Sequence, residues 1–255
     1  MTDEKRAAYG SLAALVYDLD KPVGRSFGDV ELYSDRLRAN DAREVLEPAA
    51  GNGRVLIPLA RAGFAMTGFD NSPDMLAHLQ RNCANHDVAA DIVDAAFDTF
   101  AFEKRFDAVI LPAGSFQLIY EASAAAAFLR RCRLHLQEGG QLIFDLDAEH
   151  EFLDPTSSAR TWQLQDGSAI TLTETVSHFD ADSQQVEYAH HYEHLHNGRA
   201  LSTQSEVFRL RWWRLDQIVP LLIASGFADI VASGAYQWRR EPRPDQGITL
   251  EARAV

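Results

Sequence analysis

Two cysteines in 255 residues are too few for a disulfide scaffold. Cys83 and Cys132 each lie in a helix-patterned stretch, without a C-x-x-C spacing. Buried thiols in a reducing compartment are expected, and no metal site. Basic residues are also scarce, with 24 Lys and Arg against 37 Asp and Glu, a formal net charge of −13. Nucleic-acid binding relies on clustered Lys and Arg, so no nucleic acid is an expected partner. An anionic membrane surface is disfavoured for the same reason. Long apolar runs are absent, and the patch Leu12 to Val16 is too short for the core of a signal peptide. A cytoplasmic location is the expectation.

What is present is a globular composition, 46% hydrophobic and 24% charged, in a chain long enough for one large domain carrying an insertion. From residue 44 short apolar runs alternate with helical patterns. Strands are predicted over 44–48, 65–70, 89–93, 106–111 and 141–146, and helices over 54–62, 72–82 and 122–137. Near-continuous apolar strands separated by helices imply a doubly wound α/β fold with a parallel sheet buried on both faces. Pro58 inside the first of these helices frees the carbonyl of Arg54 and predicts a slight bend or an early 3₁₀ turn. Ser72-Pro73-Asp74 reads as a helix start, with Ser72 as N-cap. Beyond residue 160 the pattern changes to long alternating segments, 168–179, 185–196 and 201–213, the last two joined by Asn197-Gly198, a hairpin signal. A helix over 215–224 and a hairpin of 227–231 with 248–252 close the chain.

The chain is organised around Glu47-Pro48-Ala49-Ala50-Gly51-Asn52-Gly53-Arg54. Gly51 and Gly53 remove side chains where a strand turns into a helix, and let a ligand approach the backbone. Asp70, at the tip of the second strand, is placed to accept two hydrogen bonds from a ribose diol. Together they point to an adenosine-containing cofactor. The nicotinamide-dinucleotide fingerprint needs a third glycine, where this chain has Leu56. No Gly-Lys-Ser/Thr follows, so the turn is not a nucleotide-triphosphate loop either.

Read as E-x-x-x-G-x-G-R, the segment resembles motif I of class I S-adenosylmethionine-dependent methyltransferases. Gly68-Phe69-Asp70-Asn71-Ser72-Pro73-Asp74-Met75-Leu76, Asp94-Ala95-Ala96, Phe106 to Ile110 with Ser115-Phe116-Gln117, and Leu136-x-x-Gly139-Gly140 resemble successive segments of the same family. The resemblance covers about residues 44–150 and the terminal hairpin. It implies a Rossmann-like, seven-stranded sheet whose last strand is antiparallel, and S-adenosyl-L-methionine as cofactor, with S-adenosyl-L-homocysteine as product. It places Gly51 and Gly53 beneath the methionyl part and Glu47 near its ammonium group. Asp70 would hold the ribose hydroxyls, and Asn71 and Met75 would flank the adenine. Asp94 would accept from the adenine amino group while the Ala95 N–H donates to the ring. Leu111 and Ser115 would close the pocket, with Tyr17, Ala49 and Asn52 completing the cofactor-binding set.

Three regions follow: an N-terminal helical lid segment (1–43), a core (44–159 and 214–255), and an antiparallel β insert (160–213) serving as lid or oligomer surface. The methyl acceptor is expected to be a small molecule, methylated at N or O. The segment after the fourth strand, Leu111-Pro112-Ala113-Gly114-Ser115-Phe116, lacks the N-P-P-Y/F pattern of adenine- and glutamine-directed enzymes. A homodimer through the insert is the expected assembly. Methyl transfer mainly requires alignment and water exclusion, so no strong catalytic signature is needed. Acceptor-side candidates are Tyr17, Gln117, Tyr120, Asp147 and His150, at the lid helix or the strand ends where ligands bind. His190, on one face of an insert strand with His194 and His196, is a candidate base. A nicotinamide-dependent oxidoreductase and a non-catalytic nucleotide-binding protein are the alternatives.

Overall fold

The computed structural model describes residues 9–255. Residues 1–8, part of the expected N-terminal segment, lie outside the described residues. Seven strands form the main sheet: β1 (Glu44–Pro48), β2 (Ala65–Asp70), β3 (Asp91–Asp94), β4 (Phe106–Leu111), β5 (Leu136–Leu146), β10 (Phe227–Gly234) and β11 (Ile248–Ala254). Their order is β10-β11-β5-β4-β1-β2-β3. β1 to β5 pair in parallel, and β11 runs antiparallel to both β5 and β10. The strand order reverses between β1 and β4, which opens a crevice at their carboxyl ends.

The apolar strands are buried on both faces, as their composition requires. Helices α2 (Asp29–Ala39), α3 (Leu56–Arg61) and α4 (Pro73–Asn85) cover one face with Leu37, Leu56, Leu59 and Leu79. Helices α5 (Ala122–His135) and α7 (Leu215–Ala224) cover the other with Phe128, Leu129, Ile218 and Leu222. Leu56 at the third position of the glycine turn fits because β2 has Gly68 opposite it: a Cβ on Gly68 would collide with the Leu56 Cδ1. Close helix–strand packing is kept, with the glycine on the strand instead of the helix. Ser72 caps α4 by accepting the Met75 N–H at 3.1 Å, with Pro73 in the first turn.

Three elements differ from expectation. Helix α3 begins only at Leu56, and the Arg54 carbonyl that Pro58 leaves free accepts the Gly24 N–H at 3.2 Å. Helix α5 stops at His135 because Leu136 turns extended to pair with Phe106, with an irregularity before Gln141 pairs with Ala108. The insert has four strands, in the order β6-β7-β8-β9. These are β6 (Ser158–Gln163), β7 (Ala169–Asp180), β8 (Gln185–His196) and β9 (Arg199–Arg211). β6 is an almost fully exposed edge strand without apolar alternation, which is why its sequence carries no strand signal.

Helix α1 (Ser11–Asp20) bridges core and insert. Leu12, Ala13 and Val16 pack on Ile170, Leu172 and Tyr192 of the insert. Its N-terminus has no cap of its own. Instead β9 supplies acceptors: Gln204 Oε1 takes the Leu12 N–H at 2.9 Å, and Glu206 Oε2 takes the N–H groups of Tyr9 and Gly10 at 3.0 and 3.3 Å. The loop after α1 is pinned to the glycine turn by Arg54, which donates to the Arg25 carbonyl at 2.7 Å and to Asp29 at 2.5 Å. Burial alone would raise the Asp29 pKa, but the Arg54 guanidinium holds it below the usual carboxylate range. Among the described residues, no helix is long and apolar enough to cross a membrane.

Removing one partner of a buried ion pair strands the other charge, at a cost of about 3–5 kcal/mol. Arg54→Met is therefore expected to lower the urea unfolding midpoint by a corresponding amount; an unchanged midpoint would show that the pair does not hold the loop.

Candidate active site

A cavity of about 410 Å³ opens at the carboxyl ends of the central strands. Ala49 and Gly51 enter it from the turn after β1, Asp70 and Asn71 from β2, Met75 from α4, and Ala95 from the turn after β3. Ser115 and Tyr17 close it from the β4 loop and from α1. The turn passes through three residues at positive φ, Ala49 at +52°, Gly51 at +55° and Gly53 at +87°. Tyr17 covers Gly51, its Cε1 lying 3.8 Å from where a Cβ would stand.

Asp70 ties the two motifs together. Its Oδ2 accepts the Gly51 N–H at 3.0 Å and its Oδ1 the Ser72 N–H at 2.9 Å. Each carboxylate oxygen keeps further acceptor capacity for a diol. Burial raises its pKa, against the pull of these N–H groups. Glu47 is 2% exposed and its Oε2 has no partner among the described residues. Burial pushes its carboxyl up to about 8, with Arg54 opposing. An unpaired buried carboxyl suits a cationic ligand, since both then lose their desolvation penalty together.

Other expected cofactor residues stand elsewhere. Asn52 is fully buried and turned toward the N-terminal layer, donating to Asp18 Oδ1 at 2.8 Å and to the Lys21 carbonyl at 2.9 Å. Gly53, at φ +87°, makes room for Leu79, whose Cδ1 would lie 2.6 Å from a Cβ there. Leu111 is sealed in the aromatic core. Asp94 is exposed beside Asp70 in the strand register but outside the cavity lining. The Ala95 N–H, expected to donate to a base, instead donates to the Asp70 carbonyl at 3.1 Å, which is the β2–β3 pairing carried one residue further.

Of the acceptor-side candidates, Tyr17 and Asp147 line the cavity, whereas Tyr120 does not. Burial raises the Tyr17 pKa, with Arg54 opposing. Gln117 is buried behind the wall, its Oε1 accepting the Asp147 N–H at 2.8 Å. His150 opens the short helix α6 (His150–Leu153), exposed and away from the cavity. His190 is buried in the insert, 2.7 Å from Glu174, and stacks on Phe208 with ring centroids 5.2 Å apart. Phe208 in turn lines the cavity, with its β9 neighbours Val207, Arg209 and Leu210. Sequence reasoning missed these β9 residues, and also Tyr9, Lys21, Phe97 and Leu118. Phe97, three residues past Asp94, carried a local signal; the β9 residues reach the cavity only through the tertiary fold.

The sheet order and the cavity at its switch point define a Rossmann-like methyltransferase fold. Residues 45–140 match the family model described as a methyltransferase domain. Over 138 residues the chain is 30% identical to a glycine/sarcosine N-methyltransferase of Parasynechococcus marenigrum, covering 53% of this chain and 49% of that protein. The chain thus spans about half the length of the curated relatives it matches. Among solved structures, a sugar N-methyltransferase from Streptoalloteichus sp. superposes with a TM-score of 0.75 at 22% identity, covering 100% of this chain and 99% of that one. An amino pentose methyltransferase from Micromonospora echinaspora, solved with S-adenosylmethionine bound, gives 0.70 at 18% identity, covering 98% of this chain and 99% of that one. At these identities the structural likeness speaks for the fold alone.

Asp70→Ala is expected to weaken S-adenosylhomocysteine binding at least tenfold in calorimetry, about 1.4 kcal/mol; unchanged affinity would remove Asp70 from the ribose site. A carboxyl with its pKa near 8 is mostly protonated at pH 7, so pairing Glu47 with an ammonium group requires it to lose that proton. Calorimetry at pH 7 in buffers of different ionisation enthalpy should show net proton release on binding, abolished in Glu47→Gln. Equal release in both proteins would exclude the pairing.

Proposed function

We propose that this chain transfers the methyl group of S-adenosylmethionine to a nitrogen or oxygen atom of a small molecule by in-line displacement. The observation that carries the reading is the convergence of Gly51, Asp70, Asn71, Met75 and Ala95 on one cavity; Glu47, buried and outside the cavity lining, adds a carboxylate oxygen without a partner among the described residues. That set fits the group: a diol for Asp70, a planar base between Asn71 and Met75, and an ammonium for Glu47. When bound, the cofactor supplies an electrophilic methyl on a sulfonium whose positive charge disperses during transfer.

The chain's own residues then align the partners and keep water out. Tyr17 lies over the glycine turn and Phe97 walls the adjacent side, so α1 and the loop pinned by Arg54 act as a cover. The expected division into a lid segment (1–43), a core and a β insert is part of this proposal, with β9 supplying the roof. The names of the relatives, which act on glycine, sarcosine or a sugar nitrogen, favour a small acceptor. Dimerisation through the insert belongs to the same proposal.

S-adenosylhomocysteine is expected to raise the melting temperature of the purified protein by several degrees, whereas NAD leaves it unchanged. Stabilisation by NAD alone would sink the assignment and revive an oxidoreductase.

A further inference from the structure

The acceptor side of the cavity carries two opposite charges that do not pair with each other. Asp147 stands just beyond β5, and Lys21 at the end of α1; both line the cavity. Among the described residues, neither the Asp147 carboxylate nor the Lys21 ammonium has a hydrogen-bond or ion-pair partner. Lys21 instead sits 5.2 Å from the centroid of the Tyr17 ring.

The position of Asp147 is built. Its N–H is held by Gln117 Oε1 at 2.8 Å, from the 3₁₀ turn Ser115–Leu118. Its carboxylate folds against Gly114, where a Cβ would lie 2.5 Å from Asp147 Oδ2. Gly114 and Ser115 line the same wall, so this carboxylate faces the space left beside the cofactor-side residues. Burial raises the Asp147 pKa, with Glu151 adding to the effect and Lys21 opposing it. Asp147 is exposed to the cavity rather than sealed away, and an unpaired carboxylate in that position favours a cation and can accept a proton from it.

We propose that Asp147 is the acceptor-recognising residue, binding the ammonium group of a primary or secondary amine whose oxygen-bearing end faces Lys21. Asp147 then takes one proton from the ammonium, leaving a neutral amine with a free lone pair. The nitrogen lone pair forms the new N–CH3 bond as the methyl–sulfur bond breaks. The departing electron pair stays on sulfur, the sulfonium becomes a thioether, and the methylated ammonium loses its extra proton to solvent. A hydroxyl acceptor carries no positive charge and gives Asp147 nothing to neutralise. This inference rests on the cofactor reading proposed above.

The test uses the purified chain saturated with S-adenosylhomocysteine, titrated with glycine and glucosamine and with their hydroxyl counterparts, glycolate and glucose, followed by NMR. At least one amine should bind at least tenfold more tightly than its counterpart, and Asp147→Asn should weaken that amine at least tenfold. Asp147→Glu should restore part of the affinity, and turnover with S-adenosylmethionine should follow the same order. Amine binding within twofold of the parent in Asp147→Asn would overturn the proposal. So would equal binding of the hydroxyl counterparts, or no binding of either amine to the loaded protein. Asp147→Asn should still bind S-adenosylhomocysteine as the parent does, which shows that it folds. If the parent itself fails to bind S-adenosylhomocysteine, the cofactor reading falls, and this inference with it.

Discussion

The buried pair of Arg54 and Asp29 is the contact on which the arrangement of this site depends. Arg54 closes the glycine turn, and its guanidinium reaches Arg25 and Asp29 in the N-terminal layer. Its backbone N–H is fixed at 3.1 Å by Asn52 Oδ1, and the Asn52 amide reaches across to Asp18 and Lys21. Asn82 of α4 joins the same network, donating to the Asn52 carbonyl at 3.0 Å. The polar residues of the turn therefore face the N-terminal layer. The cavity side of the turn is left to backbone and to Asp70.

That division explains how far the sequence could be read. The sheet was legible because each strand is a short apolar run with both faces buried, and each crossover helix has its own start signal, such as Ser72-Pro73. The place of Asp70 at the cavity was legible because the second strand ends at the crevice of such a sheet; its bonds to the Gly51 and Ser72 N–H groups were not. Asn52 and Gly53 were placed by family pattern in the cofactor set, yet their side-chain positions serve the loop and the α4 packing. A motif specifies which residue types recur, and a turn of this kind has two sides. Leu56 excluded the dinucleotide fingerprint from sequence, but the compensating Gly68 lies on another strand and showed only in three dimensions. The β9 residues at the cavity were beyond reach for a related reason: their alternation resembles that of any half-buried strand, and nothing local says what the strand covers.

The insert and the core meet through α1, whose first N–H groups are satisfied by β9 side chains. Helix ends normally draw caps from the adjacent sequence. Here the acceptors come from almost 200 residues away, so the helix can complete its first turn only when the insert is in place. Glu206, which supplies one of these acceptors, also lies 4.0 Å from His190, whose ring stacks on the cavity residue Phe208. The cavity-lining part of β9 and the start of α1 are thus one connected unit.

Pro58 gives this picture an unusual consequence. Proline inside a helix is ordinarily a flaw, because it discards one backbone hydrogen bond. In this chain the discarded carbonyl becomes a socket, and Gly24 of the loop after α1 plugs into it. A residue with its own N–H at position 58 would mend the helix and compete for the socket. Local regularity and attachment of the loop after α1 are therefore set against each other at this position, and the chain has given up the first to keep the second.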